Sequence, residues 1–119
     1  MSTAAKAAQL GGLVIDGCVR DGALLGKVGF PVFARGLCIR GTGKDFAARG
    51  WINAPLLLGD IAVEAGDLVV GDTDGVCVVP RARAEEVLRK SQEREDKEAE
   101  TMRQLRAGET SIDLYGWDK

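Results

Sequence analysis

Gly12-Leu13-Val14-Ile15-Asp16-Gly17-Cys18-Val19-Arg20-Asp21 is the stretch that decides the fold class. Leu13-Val14-Ile15 is a short continuous apolar run, as expected of a strand covered on both faces. Asp21 to Val28 follows as a short helix, with Asp21 placed to act as its N-cap. Gly29-Phe30-Pro31 turns the chain, and Pro31-Val32-Phe33-Ala34 is a second strand. Strand, helix and strand in this order predict a parallel βαβ unit and hence the α/β class. Upstream, the alanine-rich residues 2–9 predict a helix, which Gly11-Gly12 stops.

After residue 40 the pattern changes. Gly41-Thr42-Gly43-Lys44 is a loop. Trp51-Ile52-Asn53-Ala54, Ile61-Ala62-Val63, Leu68-Val69-Val70 and Val76-Cys77-Val78-Val79 predict strands. Gly66-Asp67 and Asp72-Thr73-Asp74-Gly75 are turn signals between them, so the middle is expected to be a β-meander or a stack of hairpins. Pro80 ends the last strand. A long helix is then predicted over 81–107, free of internal Gly and Pro and closed by Gly108. At about 100° per residue, Ala84, Leu88, Ser91, Glu95, Ala99 and Met102 share one stripe of that helix. Glu95 is thus in phase with the apolar face. It is either part of a solvated stretch of an overhanging helix or an acid aimed at a polar site. The tail Ile112-Asp113-Leu114-Tyr115-Gly116-Trp117 is apolar enough to dock.

Composition narrows the chemistry. The 119 residues suit one small domain over 1–119. The net charge of −2 gives no electrostatic grip on nucleic acid or a membrane surface, and neither is expected as a partner. No apolar run approaches membrane-spanning length, and the first eight residues are too weakly apolar for a signal peptide. A cytoplasmic protein is therefore expected. The three cysteines, Cys18, Cys38 and Cys77, are widely spaced among apolar residues, and buried free thiols are expected. Histidine is absent, which excludes Ser-His-Asp and Cys-His catalysis. A metal site here would use carboxylate, carbonyl and water oxygens, which suits Mg²⁺ or Mn²⁺.

Four stretches, in order and spacing, carry a resemblance. They are Gly12 to Asp21, then Gly29-Phe30-Pro31-Val32-Phe33-Ala34-Arg35-Gly36, then Ala65-Gly66-Asp67-Leu68-Val69-Val70-Gly71-Asp72, and Asp74-Gly75-Val76-Cys77-Val78-Val79-Pro80. Together they resemble the RraA-like family, which includes the 4-hydroxy-4-methyl-2-oxoglutarate / 4-carboxy-4-hydroxy-2-oxoadipate aldolases and the RraA regulators of ribonuclease E. The most specific element is the Gly-x-x-Arg-Asp turn after an apolar strand. Arg94-Glu95-Asp96-Lys97-Glu98 and Leu114-Tyr115-Gly116-Trp117 resemble the aldolase branch.

The resemblance implies a swivelling β/β/α-type sandwich with a long C-terminal helix, assembled as trimers or hexamers with active sites between subunits. It also implies divalent-metal retro-aldol cleavage of a 4-hydroxy-2-oxo acid, giving pyruvate, with oxaloacetate decarboxylation as a side activity. By resemblance, Asp21 is the metal ligand and Arg20 the cation that binds the 2-oxo acid and stabilises its enolate. An acid on the C-terminal helix acts from the adjacent subunit, and the stripe favours Glu95 over Glu98. The plain alternatives are helix capping for Asp21 and a surface ion pair for Arg20. Asp16 is expected to be structural. Arg35 and Arg40 are expected to be structural or to contact another subunit.

The family's Gly-acid-Leu loop, whose backbone binds the substrate carboxylate, would end just before Met1. The chain is therefore expected to be an N-terminally truncated form of the family domain that holds one wall of the site. A non-catalytic regulator that binds ribonuclease E or an RNA helicase, and an inactive fragment, are the competing expectations.

Overall fold

The computed structural model describes residues 1–117. The chain divides into two compact units, Met1–Pro80 and Arg81–Lys119. In the first unit, α1 (Ser2–Ala7) leads to β1 (Leu13–Val19), α2 (Gly22–Val28) and β2 (Val32–Leu37). These are followed by β3 (Leu56–Leu58), β4 (Ile61–Val63), β5 (Leu68–Gly71) and β6 (Val76–Val79).

β1 and β2 pair in parallel, as the strand-helix-strand order requires. The ladder runs past both strand ends: Leu13 N–H donates to the Pro31 carbonyl at 2.9 Å and Cys38 N–H to the Val19 carbonyl at 2.8 Å. The register slips once. Ile15 pairs with Ala34 and Cys18 with Gly36, so Asp16 and Gly17 on β1 stand opposite Arg35 alone on β2. This is a β-bulge, which adds twist and re-aims the side chains beyond it. Gly29 ends α2 in the left-handed region at φ 64°. The Val28 carbonyl, left without an intrahelical partner there, accepts from Lys6 Nζ of α1 at 2.6 Å.

Two hairpins follow instead of a meander. β3 and β4 pair antiparallel across the two-residue turn Gly59-Asp60, with Gly59 at φ 64°, as hairpin turns that match strand twist require. β5 and β6 pair antiparallel across Asp72–Gly75. Asp72 Oδ1 accepts from the N–H groups of Asp74 at 2.8 Å and Gly75 at 3.3 Å, which closes that turn. The expected strand at Trp51–Ala54 does not form. Asn53 takes φ 61°, and Pro55 has no N–H to give a ladder, so pairing starts at Leu56. The first helix also ends earlier than expected, at Ala7, because Gln9 turns left-handed at φ 58° before the Gly pair is reached.

The interior of the described residues is small. Phe30 and Val79 are its buried hydrophobic side chains. Leu13 and Ile15 each remain 38% exposed, so the apolar run of β1 is not covered on both faces. All three cysteines are exposed, which corrects the expectation of buried thiols. Cys18 and Cys77 lie in two-stranded sheets, and Cys38 follows the end of β2. A hollow of about 350 Å³ opens where α2 meets the strand pair, lined by Val19, Leu25, Phe30, Val32, Ala34 and Leu37 among others.

The second unit begins with a single 3₁₀ turn at Arg81–Arg83 and continues as α3 (Ala84–Arg106) and α4 (Ser111–Tyr115). Its charged middle supports the helix directly through ion pairs one turn apart: Lys90–Glu86 at 2.7 Å, Arg89–Glu93 at 2.5 Å and Arg94–Glu98 at 2.6 Å. Glu85 and Glu86 in the first turn and Arg103 and Arg106 in the last complement the helix dipole. Gly108, at φ 100°, ends the helical path, and Thr110 caps α4 by accepting from Asp113 N–H at 3.2 Å. Tyr115 and Trp117 stack with centroids 5.0 Å apart. No helix among the described residues is long and apolar enough to cross a membrane.

One close approach inside the first unit gives a direct test. A Cβ on Gly71 of β5 would lie 2.6 Å from Cζ of Phe33 on β2. Gly71→Ala should therefore destabilise the chain by about 1–3 kcal/mol, and Phe33→Leu in the same chain should recover part of that loss. Urea unfolding of the two variants measures both terms. An unchanged midpoint for Gly71→Ala would show that the Phe33 ring moves aside at no cost.

Candidate active site

The end of β1 carries Arg20 and Asp21 into the turn before α2. Asp21 sits at the N-cap position of α2, and its carbonyl accepts from Leu24 N–H at 2.8 Å and Leu25 N–H at 2.9 Å. Its side chain, however, makes no capping bond. The backbone gives the reason. Asp21 is left-handed, at φ 62° and ψ 38°, whereas a capping side chain needs an extended residue. Side-chain capping, the plain alternative for Asp21, thus does not occur: the main chain starts the helix and the carboxylate lies beside Arg20. A non-glycine residue in this region is uncommon, with aspartate among the residues that tolerate it, and such positions gather at functional turns.

Arg20 and Asp21 are brought together. Arg20 Nε lies 3.8 Å from Asp21 Oδ2, with side chains 59% and 65% exposed. At that separation and exposure the pair adds little stability, so its charges stay available to a ligand. Gly41 also approaches: a Cβ there would lie 3.3 Å from Arg20 Nη1. The Gly41-Thr42-Gly43 loop therefore borders the guanidinium. The sequence marked this stretch only as a loop, and the glycine was its one signal of close approach.

Asp16 and Arg35 form the second polar group. Arg35 Nε donates to Asp16 Oδ1, and the Gly59 N–H in the β3–β4 turn donates to Asp16 Oδ2 at 2.9 Å. One carboxylate thus joins β1, β2 and the first hairpin, which agrees with structural roles for Asp16 and Arg35. The Arg35 hydrogen bond first, and then the Gly59 N–H, hold the Asp16 carboxyl below its ordinary value of 3.8, and Asp16 in turn raises Arg35. Arg40 is exposed.

Glu95 lies on α3 in the second unit, a different unit from Arg20 and Asp21. Its carboxylate accepts from Gln92 Nε2 at 3.5 Å, while Glu98 is held by Arg94. Among the described residues, no group of three His, Cys, Asp or Glu side chains gathers to cage a metal ion.

The family model described as Aldolase/RraA, RraA-like, matches residues 1–78, nearly all of the first unit. The chain belongs to the RraA-like family. It is 38% identical over 91 residues to a Halalkalibacterium halodurans protein provisionally named a 4-hydroxy-4-methyl-2-oxoglutarate aldolase, covering 76% of this chain and 42% of that one. An uncharacterised protein of Methanocaldococcus jannaschii is 34% identical over 110 residues, covering 92% of this chain and 52% of its own length. The crystal structure of an uncharacterised Pseudomonas syringae pv. tomato protein superposes with a TM-score of 0.75 at 30% identity, over 89% of this chain and 52% of that one. The RraA-like chain thus spans about half the length of the curated relatives it matches.

The Asp16 carboxylate predicts an acid limb in the stability curve. Its pKa is depressed in the folded state, so its stabilisation is present above pH 3.8 and is lost as pH falls through the lower folded value. Asp16→Asn should flatten that limb and leave the remaining pH dependence in place. Urea midpoints from about pH 6 to about pH 2.5 measure it. Equal acid limbs in the two proteins would break the link between Asp16 and stability.

Proposed function

We propose that this RraA-like chain contributes to divalent-metal-dependent retro-aldol cleavage of 4-hydroxy-2-oxo acids to pyruvate, with oxaloacetate decarboxylation as a related activity. The observation that carries the proposal is the uncapped Asp21 carboxylate beside Arg20 at the end of β1, in a chain of an aldolase-containing family. The donor set fits a hard cation. Mg²⁺ is commonly held by one or two carboxylates and completes its shell with water and substrate oxygens, so a single exposed aspartate is a suitable ligand. Asp21 would hold Mg²⁺ or Mn²⁺, which when bound supplies Lewis-acid polarisation of the keto acid.

The chain's own groups do the rest. The Arg20 guanidinium binds a carboxylate or keto oxygen of the 2-oxo acid in fork geometry. It also places fixed positive charge where negative charge accumulates as the C–C bond breaks, which favours the transition state over the ground state. Glu95, from a neighbouring copy of the chain, serves as a proton acceptor at its carboxylate. Its amide contact with Gln92 leaves it without a partner cation among the described residues, unlike Glu98. A homo-oligomer, trimer or hexamer, is part of the proposal. Large apolar side chains on the first unit support it, including Leu37 at 70%, Trp51 at 78% and Phe46 at 94% exposure.

The test is a coupled pyruvate-release assay on 4-hydroxy-4-methyl-2-oxoglutarate, with and without EDTA. It is run on this chain and on a version extended at the N-terminus to the relatives' length. The expected result is weak or absent turnover by the chain alone, which spans about half the length of its relatives, and robust EDTA-sensitive release by the extended version. In the extended version Asp21→Asn should abolish release. Asn tolerates the left-handed backbone, so this change isolates the carboxylate as Ala would not. Arg20→Ala should lower kcat/KM by roughly 10²–10³. Full activity in Asp21→Asn would refute the metal assignment.

Light scattering tests the assembly. A homo-oligomer is expected, and a monodisperse monomer would count against it.

A further inference from the structure

The Asp16–Arg35 pair does more than join strands. Asp16 and Gly17 together oppose Arg35, so the ion pair sits in the bulge itself, three residues before the end of β1. Because side chains alternate along a strand, one inserted residue reverses the facing of everything after it, here Cys18, Val19 and the Arg20-Asp21 turn. Gly17 does not explain the bulge by conformational need: its φ is outside the left-handed region, and a Cβ there would make only ordinary contact with Ile15 at 3.7 Å. What distinguishes the site is the clasp. Arg35 fills the place opposite two residues and binds Asp16, whose other oxygen is taken by the Gly59 N–H. The Arg35 guanidinium also lies close against that turn, with Nη2 3.3 Å from where a Gly59 Cβ would be.

We propose that Asp16 and Arg35 are positioning residues: closed on the Gly59 N–H, they hold the β1 bulge in register and so set the direction in which Arg20 and Asp21 leave the strand. This deepens the aldolase proposal and rests on it for the role of those two residues. Neither Asp16 nor Arg35 touches substrate or metal. Their effect reaches the site along the backbone from Asp16 to Asp21. The first hairpin is thereby coupled to the site, since movement of the Gly59 turn removes one of the two bonds that hold the bulge.

Amide NMR and hydrogen exchange on the metal-free chain test the proposal. The Cys38 N–H bond to Val19 lies beyond the bulge and the Leu13 N–H bond to Pro31 lies before it, so the two report on opposite sides. Asp16→Asn and Arg35→Gln should shift the amides of residues 18–22 and speed exchange at Cys38 by about threefold or more, the scale of losing one exposed ion pair, with Leu13 unchanged. Arg35→Lys keeps the charge and should restore most of the Cys38 protection, which covers the case in which a charge-removing variant unfolds. Equal changes at Leu13 and Cys38, or none at Cys38, would overturn the proposal and show a purely general or negligible role.

A parallel titration with Mn²⁺ keeps the two ideas apart. Broadening of amides 20–22 in the unaltered chain, lost in Asp21→Asn and weakened in Asp16→Asn, supports both. Broadening that is unaffected by Asp16→Asn overturns the positioning role alone. Absence of any Asp21-dependent broadening counts against the metal assignment, and the exchange data then decide the positioning role by themselves.

Discussion

The Asp16 carboxylate meets the Arg35 guanidinium and the Gly59 N–H at one point, and the first unit is organised around that meeting. The same carboxylate links the β1–β2 ladder to the β3–β4 hairpin, and the bulge in β1 lies at the same place. Energetically an exposed ion pair contributes little. Its importance is geometric. A strand has a period of two, so a single unpaired residue decides which way the following side chains point.

Beyond that node, apolar contact is sparse. A parallel strand pair is normally covered on both faces, yet β1 and β2 keep much apolar surface in contact with solvent, and Phe30 and Val79 are the buried hydrophobic residues of the described chain. The close contacts that do form depend on missing side chains: Phe33 lies against Gly71, and Leu37 against Gly22. The exposed cysteines follow from the same lack of cover. The second unit solves the stability problem differently. α3 carries its own ion pairs from turn to turn and buries no residue, so its charged middle acts as support for an exposed helix.

The Arg20-Asp21 turn shows how local backbone geometry can free a functional group. Aspartate before a helix ordinarily caps it, and the left-handed backbone at Asp21 prevents this while the carbonyl still starts the helix. The result is an exposed carboxylate next to an exposed guanidinium, with Gly41 close by. That pairing of opposite charges is the feature on which the proposed binding of a metal ion and a 2-oxo acid rests.

Sequence by itself determined the α/β class, the parallel βαβ unit, the second hairpin and the long C-terminal helix. Each is written in local periodicity and in turn residues such as Gly29, Asp72 and Gly108, which act over a few residues. It also identified the family through the Gly17-Cys18-Val19-Arg20-Asp21 turn. Only the tertiary structure decided that Asp21 does not cap, that Asp16 pairs with Arg35, and that Gly41 borders Arg20. Those outcomes depend on a left-handed dihedral, a register slip and approaches across 19 or more residues of chain. The same holds for the cysteines and for Trp51–Ala54. Apolar neighbours suggested burial and a strand, but burial is a property of what packs over a residue, and a strand needs a partner whose N–H and carbonyl groups are in register. Neither is encoded in the residue's own neighbourhood.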